Sequence, residues 1–259
     1  MRRMVGLVLL VLIAAGCAAP GRSQRSQSDQ DRDGRLLARA IQEADSGGSS
    51  FSMSEAILLT GGDIPSGRQA RVQGSATGAL REGRVRMSYK FATKKAVKFE
   101  VVVAEGGFFI KPSTASSWSV TPEPSVTELY PAARLPLIRE SVLLAKSIAS
   151  PSIQHINSGF THKYVIVPAP DQLEQLDAMP VSGAAETAFL KTAVAEFDVF
   201  LTSPGDHLAR IEVHLTGTEP STGTKQKIDC SADFKAARVA PIQTPAGATP
   251  VQPNQIFGG

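Results

Sequence analysis

The sequence contains little of what many folds and active sites depend on. It has two cysteines, Cys17 and Cys230, which are too few for a framework of disulfides. Its N-terminal apolar run, from Met4 to Ala15, is shorter than the roughly 20 apolar residues that cross a bilayer as a helix. The fold therefore has to be stable through its hydrophobic core alone.

Familiar catalytic signatures are also missing. The stretch GGDIPSGRQ has the glycine spacing of a phosphate-binding loop, but Arg68 and Gln69 stand where Lys and Ser or Thr are required. In GSATG the serine is one place too early for a nucleophile elbow. The sequence has no HExxH, no paired CxxC and no Ser-x-x-Lys. These absences argue against a familiar hydrolase, and we expect neither catalytic residues nor a cofactor.

His155 and His162 are candidate metal ligands. If Ser158 and Gly159 form a two-residue hairpin turn, His155 and His162 become direct cross-strand neighbours. Two imidazoles could hold a metal there, but no third ligand is evident and structural zinc takes four. We therefore interpret the pair as part of a polar sheet surface and predict no metal site.

The N-terminus has the three parts of an export signal. Arg2 and Arg3 precede the apolar run, and the small residues Ala14-Ala15-Gly16 precede Cys17. This order resembles bacterial lipoprotein signals, although Ala14 stands where that family usually has Leu, Val or Ile. The resemblance implies cleavage of residues 1–16 and acylation of Cys17, which would anchor the protein in a bacterial envelope, outside the cytoplasm. The alternative is an ordinary secretory signal with an incidental cysteine.

Composition divides the rest of the chain. Residues 18–33 have almost nothing to bury and are typical of a flexible tether, and the Pro- and Gly-rich residues 241–259 are typical of a disordered tail. Residues 34–240 have a suitable size for one domain. Cleavage of the signal lowers Lys plus Arg from 27 to 25, against 24 Asp plus Glu, and the basic residues are scattered, so we expect no nucleic-acid partner.

Strands with period-two alternation dominate the domain. Each has an apolar face and a polar face, which is typical of an antiparallel sheet with one wet side. The apolar phases comprise Val85, Met87, Tyr89 and Phe91; Val97, Phe99, Val101 and Val103; Ala195, Phe197, Val199 and Leu201; Ala209, Ile211, Val213 and Leu215; and Ile228, Cys230, Ala232 and Phe234.

Helical patterns are fewer. GRLLARAIQEA near the start of the domain is short and amphipathic, and DQLEQLDAM and AAETAFLKTA are further candidates. Between Ser125 and Ser150, Pro131 and Pro136 should break a longer helix and leave LIRESVLLAKSIA as its continuous part. The predicted fold is α+β, a large curved antiparallel sheet whose apolar face is covered by a few helices.

This order of elements resembles the LprG/LppX-type lipoproteins of actinobacterial envelopes, which share the fold of the lipoprotein carriers LolA and LolB. The similarity begins with the lipoprotein signal, LLARAIQEA and FSMSEAIL. It is clearest in GFTHKYVIVP, and in MPVSG followed by FDVFLTSPGDHLARIEVHL. It spans about residues 34–235, whereas APDQLEQLDA and the Pro-rich tail depart from the family pattern.

The resemblance implies a carrier without enzymatic activity that holds an acylated lipid or a lipoprotein in an apolar cavity between sheet and helices. We expect the sheet to form the wall, residues Leu137, Ile138, Val142, Leu143 and Leu144 to form a lid, and Phe108, Phe109 and Trp118 to form the mouth. The predicted cavity residues are Val85, Met87, Tyr89, Phe99, Val101, Val103, Phe108, Trp118, Leu137, Leu143, Leu144, Phe197, Val199, Ile211 and Val213.

Two other functions fit the same sequence. A lipid-anchored scaffold or regulatory sensor would have a solid interior and would bind another envelope protein through its outer surface. An unrecognised hydrolase would bring a serine, a histidine and an acid together in a cleft. An apolar cavity of several hundred Å³, on the order of those that hold ligands, would distinguish the carrier from both.

Overall fold

The computed structural model describes residues 25–62, 64–92, 97–105, 107–121, 135–157, 159–169 and 192–252. Cys17 and the helix predicted at 171–179 lie outside these ranges, as does the helix predicted at 184–193 except for its last two residues. In chain order the elements are α1 (Gln27–Gly47), β1 (Ser49–Thr60), β2 (Ala70–Arg81), β3 (Arg84–Ala92), β4 (Val97–Ala104), β5 (Gly107–Pro112), β6 (Ser119–Thr121), α2 (Leu135–Leu143), β7 (Ser147–Ile148), β8 (Ser152–Ile156), β9 (Gly159–Val167), β10 (Val194–Thr202), β11 (Leu208–Glu219), β12 (Thr224–Ala236) and β13 (Thr249–Pro250).

The strands form one sheet in the order β13-β6-β5-β4-β3-β2-β1-β12-β11-β10-β9-β7, and β8 also pairs with β9. Neighbouring strands are antiparallel except β13 and β6, which are parallel. The first strand pairs with β12 over its whole length, from Ser49 opposite Ala236 to Thr60 opposite Lys225. The late strand β12 therefore lies next to the first strand, in the middle of the sheet.

One face of this sheet, which we call the inner face, carries the main hydrophobic core. Phe197, Val199, Ile211 and Val213 are completely buried there, and the apolar residues of β1, β3, β4 and β12 continue the same cluster. Helices α1 and α2 add Leu37, Ile41, Leu135, Ile138 and Val142 to it. The predicted fold class, a large curved antiparallel sheet with few helices on its apolar face, is confirmed.

Helix α1 is longer than the sequence pattern indicated, because it begins at Gln27. Ser26 is its N-cap and accepts a hydrogen bond from the backbone N of Asp29 at 3.2 Å. Arg25 pairs with the nearly buried Asp33 at 2.7 Å. The tether predicted over residues 18–33 is therefore wrong for 27–33, whose polar side chains are held by the cap and by this ion pair.

Helix α2 is shorter than predicted. It begins at Leu135, with Pro136 in its first turn, where the missing N–H of proline breaks no helical hydrogen bond. The helix ends at Leu143, and Ser147–Ile148 then form β7 against β9. The continuous helix predicted over LIRESVLLAKSIA is therefore wrong in its second half, where pairing with the sheet edge replaces helix.

The C-terminal segment up to residue 252 packs on the opposite, outer face of β4–β6, and the prediction of a disordered tail is wrong there. Ile242 is buried with Val102 and Phe109, and β13 pairs with β6. Arg84 donates from Nη1 to the Ile242 carbonyl at 3.3 Å. A Pro- and Gly-rich composition disfavours regular structure, but it does not prevent a segment from covering an apolar patch.

Candidate functional site

The inner face brings most of the predicted cavity residues together. Phe99 and Val101 of β4 lie opposite Tyr89 and Met87 of β3, and the same apolar surface continues to β10 and β11 at the other side of the sheet. Val103 is only partly buried and packs at the edge of the cluster. The predicted residues on this continuous wall are Val85, Met87, Tyr89, Phe99, Val101, Val103, Phe108, Phe197, Val199, Ile211 and Val213.

At the start of β11, Leu208 belongs to the apolar wall in place of the predicted Ala209. A register shift between Phe200 and Leu201 places Leu201 opposite Leu208. Leu208 is therefore buried in the core, whereas Ala209 is only partly buried. The bulge moves the apolar phase at the start of β11 by one residue, which simple alternation could not reveal.

The predicted mouth does not form. Phe108 is buried on the inner face, but Phe109 lies on the outer face, and Trp118 packs beside it under the C-terminal segment. Lys111 Nζ lies 5.1 Å from the centre of the Trp118 ring. Since successive side chains of a strand point to opposite faces, Phe108 and Phe109 cannot line the same opening.

Helix α2 packs on the core at the position predicted for a lid, but two of the predicted lid residues are exposed. Ile138 and Val142 of α2 are buried in the main core together with Leu135. Leu143 and Leu144 are each 52% exposed, because the helix ends there and both side chains point away from the core. The side chain of Leu137 lies outside the described part of the structure.

A polar spot that the sequence analysis missed lies on the inner face. Glu55 of β1 lies between Cys230 of β12 and Gly74 of β2, and it is 6% exposed. Its Oε1 has no hydrogen-bond partner among the described residues. The signal was available in FSMSEAIL, where the glutamate occupies the phase of Phe51, Met53 and Ile57 in an alternating strand.

The phenol of Tyr89 lies next to this carboxyl. A Cβ on Gly74 would clash with the Tyr89 hydroxyl, so the ring covers the glycine and its hydroxyl reaches the row of Glu55. Burial raises the pKa of Glu55 to about 8. Burial also raises the pKa of Tyr89 well above its ordinary value, and the nearby Glu55 and Cys230 add to that effect. The spot is therefore an uncharged acid beside a phenol.

The outer face of the same strands is polar and contains a groove of about 570 Å³. The side chains that line the groove alternate along the strands with those of the inner face. The groove is also lined by three inner-face residues, Glu55, Gly74 and Cys230. This groove is not the apolar cavity that the sequence predicts. Its other lining residues are Ser54, Ala56, Gln73, Ser75, Lys90, Glu212, His214, Asp229 and Ser231.

Three potential metal ligands meet beside this groove. Side-chain atoms of Asp198, Glu212 and His214 lie within 4.8 Å of one another, and His214 Nδ1 is 2.8 Å from Asp229 Oδ1. However, the Lys163 ammonium is already 2.5 Å from Asp198 Oδ2, and that aspartate is 2% exposed. We interpret the cluster as a charge network in which Lys163 supplies the cation.

The predicted pairing of His155 with His162 is wrong by two residues. Ile156 lies opposite Gly159, and His155 faces Phe160. Asn157 has a φ of +48°, a conformation that asparagine tolerates in tight turns. The two histidines are diagonal neighbours on a hairpin, of which Ile153 and Phe160 are 72% and 62% exposed.

Comparison with known proteins gives remote structural matches. No protein-family model matches the chain, and no curated protein matches it. The lipoprotein LppX of Mycobacterium tuberculosis has a TM-score of 0.44 at 13% identity, over 84% of this chain and 100% of its own. LprF from Mycobacterium bovis has a TM-score of 0.44 at 12% identity, over 86% and 100%. The chain resembles the LprG/LppX-type lipoproteins.

A third match has lower values. The ywiB protein of Bacillus subtilis has a TM-score of 0.23 at 10% identity, over 75% of this chain and 97% of its own. At such values the comparisons indicate nothing about a ligand of this chain. Among the described residues, no helix has both the length and the apolar character to cross a membrane.

Proposed function

We propose that this protein is a lipid-anchored component of a bacterial envelope that holds an acylated lipid, or the acyl chains of a lipidated protein, against the inner face of its sheet. The observation that carries the proposal is the continuous apolar surface that extends from Phe108 on β5 through the central strands to Ile166 on β9.

The packing of the helices supports this interpretation. Helix α1 contacts β2, β7, β10, β11 and β12, and it packs closely on α2, where Gly34 approaches the Val142 carbonyl. The apolar residues of β3, β4 and β5 continue the same hydrophobic core. Acyl chains would match such a surface, since each buried methylene contributes about 0.8 kcal/mol. The inner face would then select among lipids mainly by the length and apolarity of their acyl chains.

The proposal includes no catalytic step. The described inner face presents the carboxyl of Glu55, the phenols of Tyr89 and Tyr164 and the thiol of Cys230 among apolar side chains. His214 lies near the buried Asp198, with 3.6 Å between Nε2 and Oδ2, and belongs to the charge network of the outer face. We therefore expect binding and release of a lipid without chemical change.

A pair of neighbouring substitutions tests the carrier function. Val101 is fully buried, and Trp at this position should fill the space of an acyl chain and abolish co-purification of lipid. Glu100, the preceding residue, points outward with its side chain 49% exposed, so Glu100→Trp is a matched control. Organic extraction followed by mass spectrometry measures the lipid, and circular dichroism verifies the fold. Equal lipid content in both variants would contradict the proposal.

The anchor is tested separately. Cys17 lies outside the described residues, and its acylation is proposed from the lipoprotein signal. Two or three acyl chains bind a membrane stably where a single chain is marginal. Cys17→Ser should therefore release the protein from membranes or leave the signal uncleaved, as measured by fractionation and intact mass. Unchanged processing and membrane association would show that the cysteine is incidental.

The polar groove of the outer face favours a second candidate function, binding of another envelope protein. Its mixed donors and acceptors and its volume of about 570 Å³ suit a polar segment of a partner. A scaffold of this kind would bind its partner in the Val101→Trp variant and would contain no lipid in the wild type. The same pair of variants therefore distinguishes the two functions.

A further inference from the structure

The inner face contains an ionisable group that packing alone does not explain. Phe51, Met53 and Ile57 share a strand face with Glu55 and are all buried in the main core. Across the neighbouring strands, Glu55 faces Cys230 and Gly74, and none of the described side chains forms a hydrogen bond with its Oε1. A buried polar atom without a partner is costly, and an apolar side chain of similar size would avoid that cost.

The neighbours of Glu55 give its carboxyl no charged partner. Gly74 has no side chain, and the Tyr89 hydroxyl occupies the space above that glycine. Arginine and lysine are absent from the buried residues of the inner face, so no described cation compensates a carboxylate there. A neutral carboxyl can both donate and accept a hydrogen bond, which suits a hydroxyl group on a ligand.

We propose that Glu55 is a specificity-determining contact that forms a hydrogen bond with an uncharged hydroxyl group of the bound lipid and excludes lipids with an anionic group at this position. The proposal rests on the function proposed above and deepens it, because it places one polar contact in an otherwise apolar wall. Anionic groups are disfavoured because the site provides no positive charge, and an ionised Glu55 would repel them.

Three probes of equal chain length separate the contribution of the hydroxyl contact to affinity from that of apolar burial. The chain from residue 18 onward, which contains all of the described residues, is loaded with Nile red, and 1-dodecanol, dodecane or dodecanoate is used to displace it. We expect 1-dodecanol to bind at least about tenfold more tightly than dodecanoate, since one buried hydrogen bond corresponds to roughly that factor. Displacement by dodecane reports the apolar contribution alone.

Variants of Glu55 assign the difference to its carboxyl. Glu55→Leu should lower the affinity for 1-dodecanol by about tenfold and leave that for dodecane unchanged or higher. Glu55→Gln keeps a donor and an acceptor and should retain 1-dodecanol binding. Ser54→Leu, on the exposed face of the same strand, is the control and should change neither.

The outcomes separate this inference from the function on which it rests. Equal displacement by 1-dodecanol and dodecane in the wild type and in Glu55→Leu would overturn the role of Glu55 and would leave the carrier function intact. Nile red binding that is absent, or that persists unchanged in Val101→Trp, would overturn both. Selective loss of 1-dodecanol binding in Glu55→Leu supports the proposed contact.

Discussion

The two faces of the central strands differ in how they are stabilised, although they share the same backbone. In β10, Phe197 and Val199 are buried in the core, while Asp198 between them pairs with Lys163 on the other side. In β11, Val213 and His214 divide in the same way. The inner face depends on removal of apolar surface from water. The outer face depends on charge pairs, some partly solvated, such as Arg210 with Asp233, and some largely buried, such as Lys163 with Asp198. Substitutions on the two faces should therefore have very different effects.

The comparison also identifies exceptions on both faces. Glu55 is an acid on the apolar face, and Val102, Phe109 and Phe200 are buried apolar residues on the polar face. Ile242 of the C-terminal segment covers Val102 and Phe109, and the Lys163 ammonium lies over the Phe200 ring. Glu55 is buried as well, but its Oε1 has no partner among the described residues.

The largest expected effect concerns the pH dependence of stability, which arises from Glu55. Burial raises its pKa from 4.5 to about 8 in the folded protein, so the folded state binds a proton more tightly than the unfolded state. For this group, stability should be highest at and below pH 4.5 and should fall as the pH rises to 8, by at most about 5 kcal/mol. Urea unfolding of the wild type and Glu55→Gln across this range measures the effect, and equal slopes would contradict it.

The next effect comes from the wall itself. Phe197 is fully buried, and Phe197→Ala should reduce the free energy of unfolding by about 3 to 5 kcal/mol through lost burial and the remaining cavity. Glu196, the preceding residue, lies on the outer face, and Glu196→Ala should change stability by less than about 0.5 kcal/mol. Chemical denaturation compares the two, and similar losses would remove the distinction between the faces.

The smallest effect concerns the charge network of the outer face. Arg210 contacts Asp233 through two hydrogen bonds, Nε to Oδ1 at 2.8 Å and Nη2 to Oδ2 at 3.1 Å, and both side chains are about a quarter exposed. Arg210→Gln should cost about 1 kcal/mol, and high salt should reduce the difference because exposed pairs are screened. A salt-independent loss of several kcal/mol would show that this network is a buried structural element.

Much of the fold followed from the sequence because alternation is a local property. The apolar phases of β3, β4, β10 and β12 needed no knowledge of their partners, and the structure places the described members on one face. Register is not local. The hairpin turn begins at Asn157 and not at Ser158, so His155 faces Phe160 instead of His162. The bulge after Phe200 places Leu208, and not Ala209, in the core.

The parts that the sequence did not predict depend on distant contacts. Trp118 belongs to the outer face because residues more than a hundred positions later cover it, and α2 ends early because β7 pairs with β9. Glu55 could have been found, since a charge in the apolar phase of a strand conflicts with the pattern around it. Such local conflicts are expected where a protein binds a ligand.

Native mass spectrometry of the wild-type chain from residue 18 onward tests the central claim most directly. The account predicts additional mass bound to the folded protein, which organic extraction should identify as one or more acylated lipids. It also predicts that Val101→Trp lacks this mass and that Glu100→Trp retains it. A wild-type protein that has only its polypeptide mass, and that remains so after incubation with extracted envelope lipids, would contradict the account.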